Sequence, residues 1–125
     1  MISLCTTCMN RHSFLEEVLS TWLKFPFDEF LILDWSSTPP VEINNKDERI
    51  KLFRVEDKKY WEINNARNKS ILQSKSENIM LIDCDVKILK DPTNFPLESY
   101  YYGYARKKEL FGTSIFKREW FDQIG

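Results

Sequence analysis

A chain of 125 residues, 42% hydrophobic and 14% aromatic, is the size of one domain and can fill a single core. Eighteen basic against nineteen acidic residues leave a formal charge of −1, which excludes a general electrostatic pull toward nucleic acid. Three cysteines make no disulfide framework, no apolar run reaches the roughly 20 residues that span a bilayer, and no basic n-region opens a secretory signal, so the sequence reads as a reduced, cytoplasmic protein without a transmembrane segment.

Ile2–Thr6 is short and apolar, which predicts a buried strand. Ser13–Leu23 sets Phe14, Val18, Leu19 and Trp22 at helical spacing with Glu16 and Glu17 outside, and Pro26 closes that helix. Phe30–Leu33 is a second apolar run, ending abruptly in Asp34. The polar stretch SSTPPVEINNKDER has loop composition, and Ile50–Val55 alternates as a third strand. Trp61–Leu72 predicts a helix, with Trp61, Asn65, Asn68 and Leu72 on one side and Ile63, Ala66 and Ile71 on another. Asn78–Ile82 is a fourth apolar run, again ending in acid, at Asp83. Strands alternating with helices imply parallel pairing and an α/β sandwich. Beyond Val86 the aromatic YYYGYA, then LFGTSIF and the amphipathic Lys117–Ile124, read as α+β. The aromatic run reads first as a core strand, with an acceptor or partner surface as the alternatives.

In an open parallel sheet, ligands bind at the carboxyl ends of the strands. Here those ends carry Thr6 and Thr7, then Asp34, then Asp83 and Asp85. In LIDCDV the two carboxylates are one residue apart and share a side if extended geometry persists. Their mutual repulsion is relieved by a divalent cation, and oxygen-only ligands suit Mg²⁺ or Mn²⁺. Asp is also a good turn residue, which is the structural alternative, strongest for Asp34. In WEINNARNKSI, Asn64, Asn65, Arg67 and Asn68 crowd a helix start, and the planar fork of Arg67 suits phosphate or carboxylate. A solvated, Asn-capped helix end is the alternative there. Lys58, Lys59 and Tyr60 read as a wet loop, and His12 as a surface residue without zinc-ligand partners.

Cys5 and Cys8 form a C-x-x-C near a strand-to-helix turn, where a thioredoxin-like redox pair would sit. The motif has no proline, and Cys5 falls inside the apolar strand. Cys5 is therefore expected in the core, Cys8 as a small residue whose backbone lines the pocket, and Cys84 pointing away from its flanking aspartates.

Taken in order, these segments resemble the nucleotide-sugar-binding half of a GT-A fold glycosyltransferase, with likeness to glycosyltransferase family 2 and the β-1,4-galactosyltransferase group. TTCMNR stands where those families carry a Pro-Thr-Tyr-Asn-Arg or Pro-Phe-Arg-Asn-Arg turn, and Asn10 and Arg11 match it. LILDWSS resembles Val-Asp-Asp-Gly-Ser, with Asp34 on the first aspartate and Trp35 displacing the second. NARNKSI keeps Ala66, Arg67 and Asn68 of an Ala-Arg-Asn-x-Gly-Ile helix start, and LIDCDV is similar to the D-x-D strand end. In the tail, Phe111, Gly112, Ser114, Phe121 and Ile124 resemble a galactosyltransferase stretch.

The resemblance implies a Rossmann-like, mostly parallel sheet flanked by helices, with residues 1–90 as the donor half and 91–125 as the start of an acceptor-side half. It implies transfer of a sugar from a nucleotide-diphosphate donor, a UDP-sugar first, to a hydroxyl of a glycan or other acceptor. Thr6, Thr7, Cys8, Asn10, Arg11 and Asp34 would hold the nucleotide, Arg67 and Asn68 would face nucleotide or sugar, and Asp83 would support ribose or metal. Asp85, with Asp83, would ligate Mn²⁺ or Mg²⁺. The likeness stops at Gly125, ahead of the acidic segment that supplies the family's catalytic base, so no base is assigned. A binding module without turnover, or one acting in an oligomer or with a partner chain, is the alternative expectation. A nucleotidyltransferase would need a Gly-rich phosphate loop, which is absent.

Overall fold

The computed structural model describes residues 1–93, 101–103 and 113–124. The elements are β1 (Ile2–Cys8), α1 (Leu15–Trp22), β2 (Glu29–Trp35), β3 (Ile50–Val55), α2 (Ile63–Gln73), β4 (Asn78–Leu81), β5 (Tyr101–Gly103), β6 (Thr113–Lys117) and α3 (Arg118–Ile124). The strands form one sheet in the order β3-β2-β1-β4-β6-β5. β3, β2, β1 and β4 pair in parallel, while β6 runs antiparallel to β4 and β5 antiparallel to β6. The alternating first half thus yields the parallel part of the sheet, and the aromatic second half adds its antiparallel edge. Part of the aromatic run forms β5, and the remainder lies outside the described residues.

Register decides which side chain meets which helix. Ser3 pairs with Glu29 and Cys8 with Asp34 across β1 and β2, while Ile2 pairs with Asn78 and Cys5 with Leu81 across β1 and β4. Successive side chains of a strand point to opposite faces. Leu4, Phe30, Ile32 and Met80 therefore share one face, where Leu15, Val18, Leu19 and Trp22 of α1 cover them. Cys5, Leu31 and Ile79 share the other face with Ile71 of α2, and Leu33 and Trp35 pack there on Ala66. With both faces covered, β2 is buried along its whole length, which explains its unbroken apolar run.

Two helices depart from the expected bounds. α1 starts at Leu15 instead of Ser13, and Phe14 is left 66% exposed outside the core. α2 starts at Ile63, and only Ala66, Ser70 and Ile71 are buried, while Trp61 and Leu72 face solvent. Of its two apolar stripes only one meets the sheet, through Ala66 and Ile71.

The amino edge of the sheet is locked by polar contacts. Glu29 is buried; its carboxylate accepts from the Ser3 hydroxyl at 2.6 Å, the Lys75 N–H at 2.7 Å and the Lys51 ammonium at 3.1 Å. Burial opposes its charge, but these donors outweigh it and hold the carboxyl below its usual range. Arg49 ties the loops at the same edge, donating to the carbonyls of Leu23 (2.8 Å) and Phe25 (2.9 Å) and lying over the Phe30 ring. No helix among the described residues is long and apolar enough to cross a membrane.

Candidate functional site

After β1 the chain builds outward through β2 and β3 on one side, then returns to lay β4 on the other. The loops leaving the carboxyl ends of β1 and β4 consequently diverge, and a crevice opens between them. This is the topological switch point at which open α/β sheets bind their ligands. A cavity of about 350 Å³ lies there. Thr7, Cys8, Met9 and Arg11 line it around the end of β1, Asp83, Cys84 and Asp85 from the turn after β4, and Trp61 and Ile63 from the approach to α2 and its first residue.

The D-C-D segment reaches the cavity by a turn. β4 ends at Leu81, one residue earlier than expected, and the Val86 N–H donates to the Asp83 carbonyl at 3.2 Å. Extended geometry does not persist to Asp85, so the bend, not the strand pleat, brings both carboxylates to one cavity. The Asp83 side chain is 46% exposed and pairs with Arg67, whose Nη2 lies 3.3 Å from Oδ1. Asp85 is exposed and makes no ion pair among the described residues. Among those residues no group of three or more His, Cys, Asp or Glu converges to hold a metal. A hard cation here would take carboxylate oxygens from Asp85 and Asp83, with its remaining positions open to water and phosphate, as Mg²⁺ commonly prefers.

The first turn is shaped by a second loop. Asn10 adopts φ 58°, a left-handed conformation that Asn tolerates better than most residues. Its N–H donates to the Ser37 hydroxyl at 2.9 Å, and its Oδ1 accepts from the Thr38 N–H at 2.8 Å. Loop 36–41 is in turn anchored by Asp34, which accepts from the N–H groups of Ser37 and Val41, each at 2.9 Å, and from Arg54 at 2.5 Å. Burial works against that charge, yet the surrounding donors hold the Asp34 carboxyl below its usual range.

The expected site residues therefore divide. Thr7, Cys8, Arg11, Asp83 and Asp85 line one cavity. Asp34 is not among the lining residues, since its oxygens are committed to the loop and to Arg54. Thr6 is buried and donates its hydroxyl to the Ile82 carbonyl at 2.7 Å, stitching β1 to the chain leaving β4. Asn10 acts within the turn, Arg67 meets the site through Asp83, and Asn68 is exposed on α2. In the tail, Ser114 lies in β6 opposite Leu81, Phe121 packs near Phe116, and Ile124 ends α3. Phe111, Gly112 and Gly125 lie outside the described residues. Met9, Trp61 and Ile63 were not singled out as site residues from sequence. Trp61 had one available signal, a large aromatic set among charged and amide residues in KKYWEINN.

The cysteines separate by face. Cys5 lies in the cluster under α2, whereas Cys8 and Cys84 lie in the cluster under α1. Burial pushes the Cys5 thiol up to about 12. Cys8 is lowered to about 7 by its hydrogen bond with Cys84, against the opposing effect of burial. Cys84 is raised, first by that same interaction and then by burial.

No family model and no curated protein matches the chain. Solved structures do. A mannosyltransferase, PcManGT from Pyrobaculum calidifontis, in complex with GDP-Man and Mn²⁺, superposes with a TM-score of 0.75 at 13% identity over 99% of this chain and 46% of that one. TarS (1–349) from S. aureus superposes at 0.63 and 12% identity over 98% of this chain and 48% of that one. In complex with UDP, TarS superposes at 0.65 and 14% identity, again over 98% of this chain and 48% of that one. This chain thus spans about half the length of the structures it matches. At such identities the likeness shows the fold, a GT-A-like glycosyltransferase fold.

Proposed function

We propose that the cavity between β1 and β4 binds a nucleoside diphosphate sugar, and that the chain is the donor-binding part of a metal-dependent glycosyltransferase. The observation that carries this reading is the position of Asp83 and Asp85, two carboxylates at the switch point of the sheet facing the Thr7–Arg11 turn. The structural neighbours support it, since one was captured with GDP-Man and Mn²⁺ and another with UDP.

Each residue then has a part that follows from its surroundings. Thr7, Cys8 and Arg11 form the nucleotide wall, with Arg11 offering charge to phosphate. Asn10 and Asp34 hold that wall in shape through loop 36–41, and Thr6 fixes its distance from the β4 end. Asp85, with Asp83, holds Mn²⁺ or Mg²⁺. Arg67 pairs with Asp83 and turns it toward α2, and Arg67 and Asn68 face the nucleotide or sugar side. When bound, the cation neutralises charge on the departing nucleoside diphosphate as the sugar moves to an acceptor hydroxyl.

The test is a calorimetric titration of UDP and GDP with and without Mn²⁺, beside an assay for sugar transfer and donor hydrolysis. Metal-dependent binding of one nucleotide is expected. Binding without turnover identifies a donor-binding module, and failure of both nucleotides to bind with Mn²⁺ overturns the reading.

A further inference from the structure

The thiol chemistry suggested by C-x-x-C belongs to a different pair. Cys5 and Cys8 are three residues apart on one strand and face opposite sides of the sheet, so their sulfurs cannot meet. Cys8 and Cys84, by contrast, come from adjacent strand ends. The parallel register runs to Cys5 opposite Leu81, and the Ile82 N–H donates to the Cys5 carbonyl at 3.1 Å. Beyond that last rung the chain turns, and the turn sets Cys84 on the same cavity wall as Cys8. Both side chains face the α1 side of the sheet and belong to one packed cluster, close enough for each thiol to perturb the other. Cys84 Sγ also lies 3.6 Å from the Arg11 carbonyl, which keeps it against the first turn.

We propose that Cys8 and Cys84 form an oxidisable dithiol, a modification site that a peroxide closes into a reversible disulfide. A disulfide needs Cα atoms roughly 4.4–6.8 Å apart, and the two cysteines share one cluster and one cavity wall just past the β1–β4 pairing. Both cysteines line the cavity, so a small oxidant reaches them although each is buried against protein on its other sides. One sulfur, as thiolate, attacks the peroxide and breaks its O–O bond, leaving a sulfenic acid and, after proton uptake, one water. The second sulfur attacks the sulfenic sulfur and releases a second water. Two thiols and one hydrogen peroxide give one disulfide and two waters; the sulfurs lose two electrons and the peroxide oxygens gain them. The new bond ties the D-C-D turn to the first turn, joining two walls of the cavity. The step does not depend on which ligand the cavity takes.

The protein is treated with a small excess of hydrogen peroxide in its native state, then denatured and alkylated, and its peptides are mapped by mass spectrometry. Of the three free cysteines, one is expected to remain alkylatable, Cys5, with Cys8 and Cys84 linked and dithiothreitol restoring all three. Oxidation in denaturant should give mixed pairings, and Cys8→Ser and Cys84→Ser should each abolish the native link. Three free thiols after native treatment, a link through Cys5, links between chains only, or sulfinic acid at Cys8 with Cys84 still free would each overturn the proposal.

Discussion

At the end of β2, Asp34 is 1% exposed and its oxygens accept from two backbone N–H groups and Arg54. At the end of β4, Asp83 is half-exposed with one arginine contact, and Asp85 is open to the cavity. The two regions read alike in the sequence, as an apolar run stopped by acid. What separates them is their neighbours. β2 lies between two parallel strands, so Arg54 of β3 stands in register with Asp34 while loop 36–41 folds over both. β4 pairs with β1 at the switch point, where the two carboxyl-end loops diverge around the cavity, and with an antiparallel strand on its other side. An acid at a strand end is structural where the sheet supplies its donors, and available for ligand chemistry where it does not.

The largest test of this contrast is Asp34→Ala, which removes a buried acceptor and leaves two N–H groups unpaired. We expect a loss of about 3 kcal/mol in urea unfolding; a loss below roughly 0.5 kcal/mol would erase the distinction between the two ends. Asp85→Asn should do the reverse. Stability stays within about 0.5 kcal/mol of the parent, while Mn²⁺-dependent nucleotide affinity falls at least about tenfold, roughly 1.4 kcal/mol. Equal loss of stability in both variants would break the comparison.

Acid titration sharpens it. Asp34 and Glu29 both have lowered carboxyl pKa values in the folded chain. Their stabilisation is fully present above the unfolded values of about 4 and disappears as pH falls through the folded ones. Unfolding followed by circular dichroism should show an acid limb that is flatter in Asp34→Ala than in the parent. The smallest effect is expected from Trp61→Ala at the cavity's rim, where loss of an exposed aromatic surface should cost about 0.5–1 kcal/mol in nucleotide affinity with no change in the urea midpoint.

Much of the architecture was legible from local pattern. Ile50–Val55 was bounded to the residue, and strand alternation with helices led to the parallel sheet, because periods of 2 and 3.6 are written into neighbouring residues. Helix ends were less legible: nothing local shows that Phe14 and Leu72 would find no sheet beneath them. The site was legible as residue types at strand ends, and Thr7, Cys8, Arg11, Asp83 and Asp85 do converge. Trp61 joins them from the segment just ahead of α2, well before the D-C-D turn in sequence, and no local pattern links the two.

The sequence by itself determined the alternation of elements, the apolar cores of the strands and the acids that stop them, since each depends on a few adjacent side chains. Only the tertiary structure decided which acid is sealed and which is open, and which cysteine faces which. Those outcomes follow from strand order and register, where Arg54 meets Asp34 across the β2–β3 ladder and Cys84 comes alongside Cys8 beyond the β1–β4 ladder. Register is a relation between distant segments, and no single segment contains it.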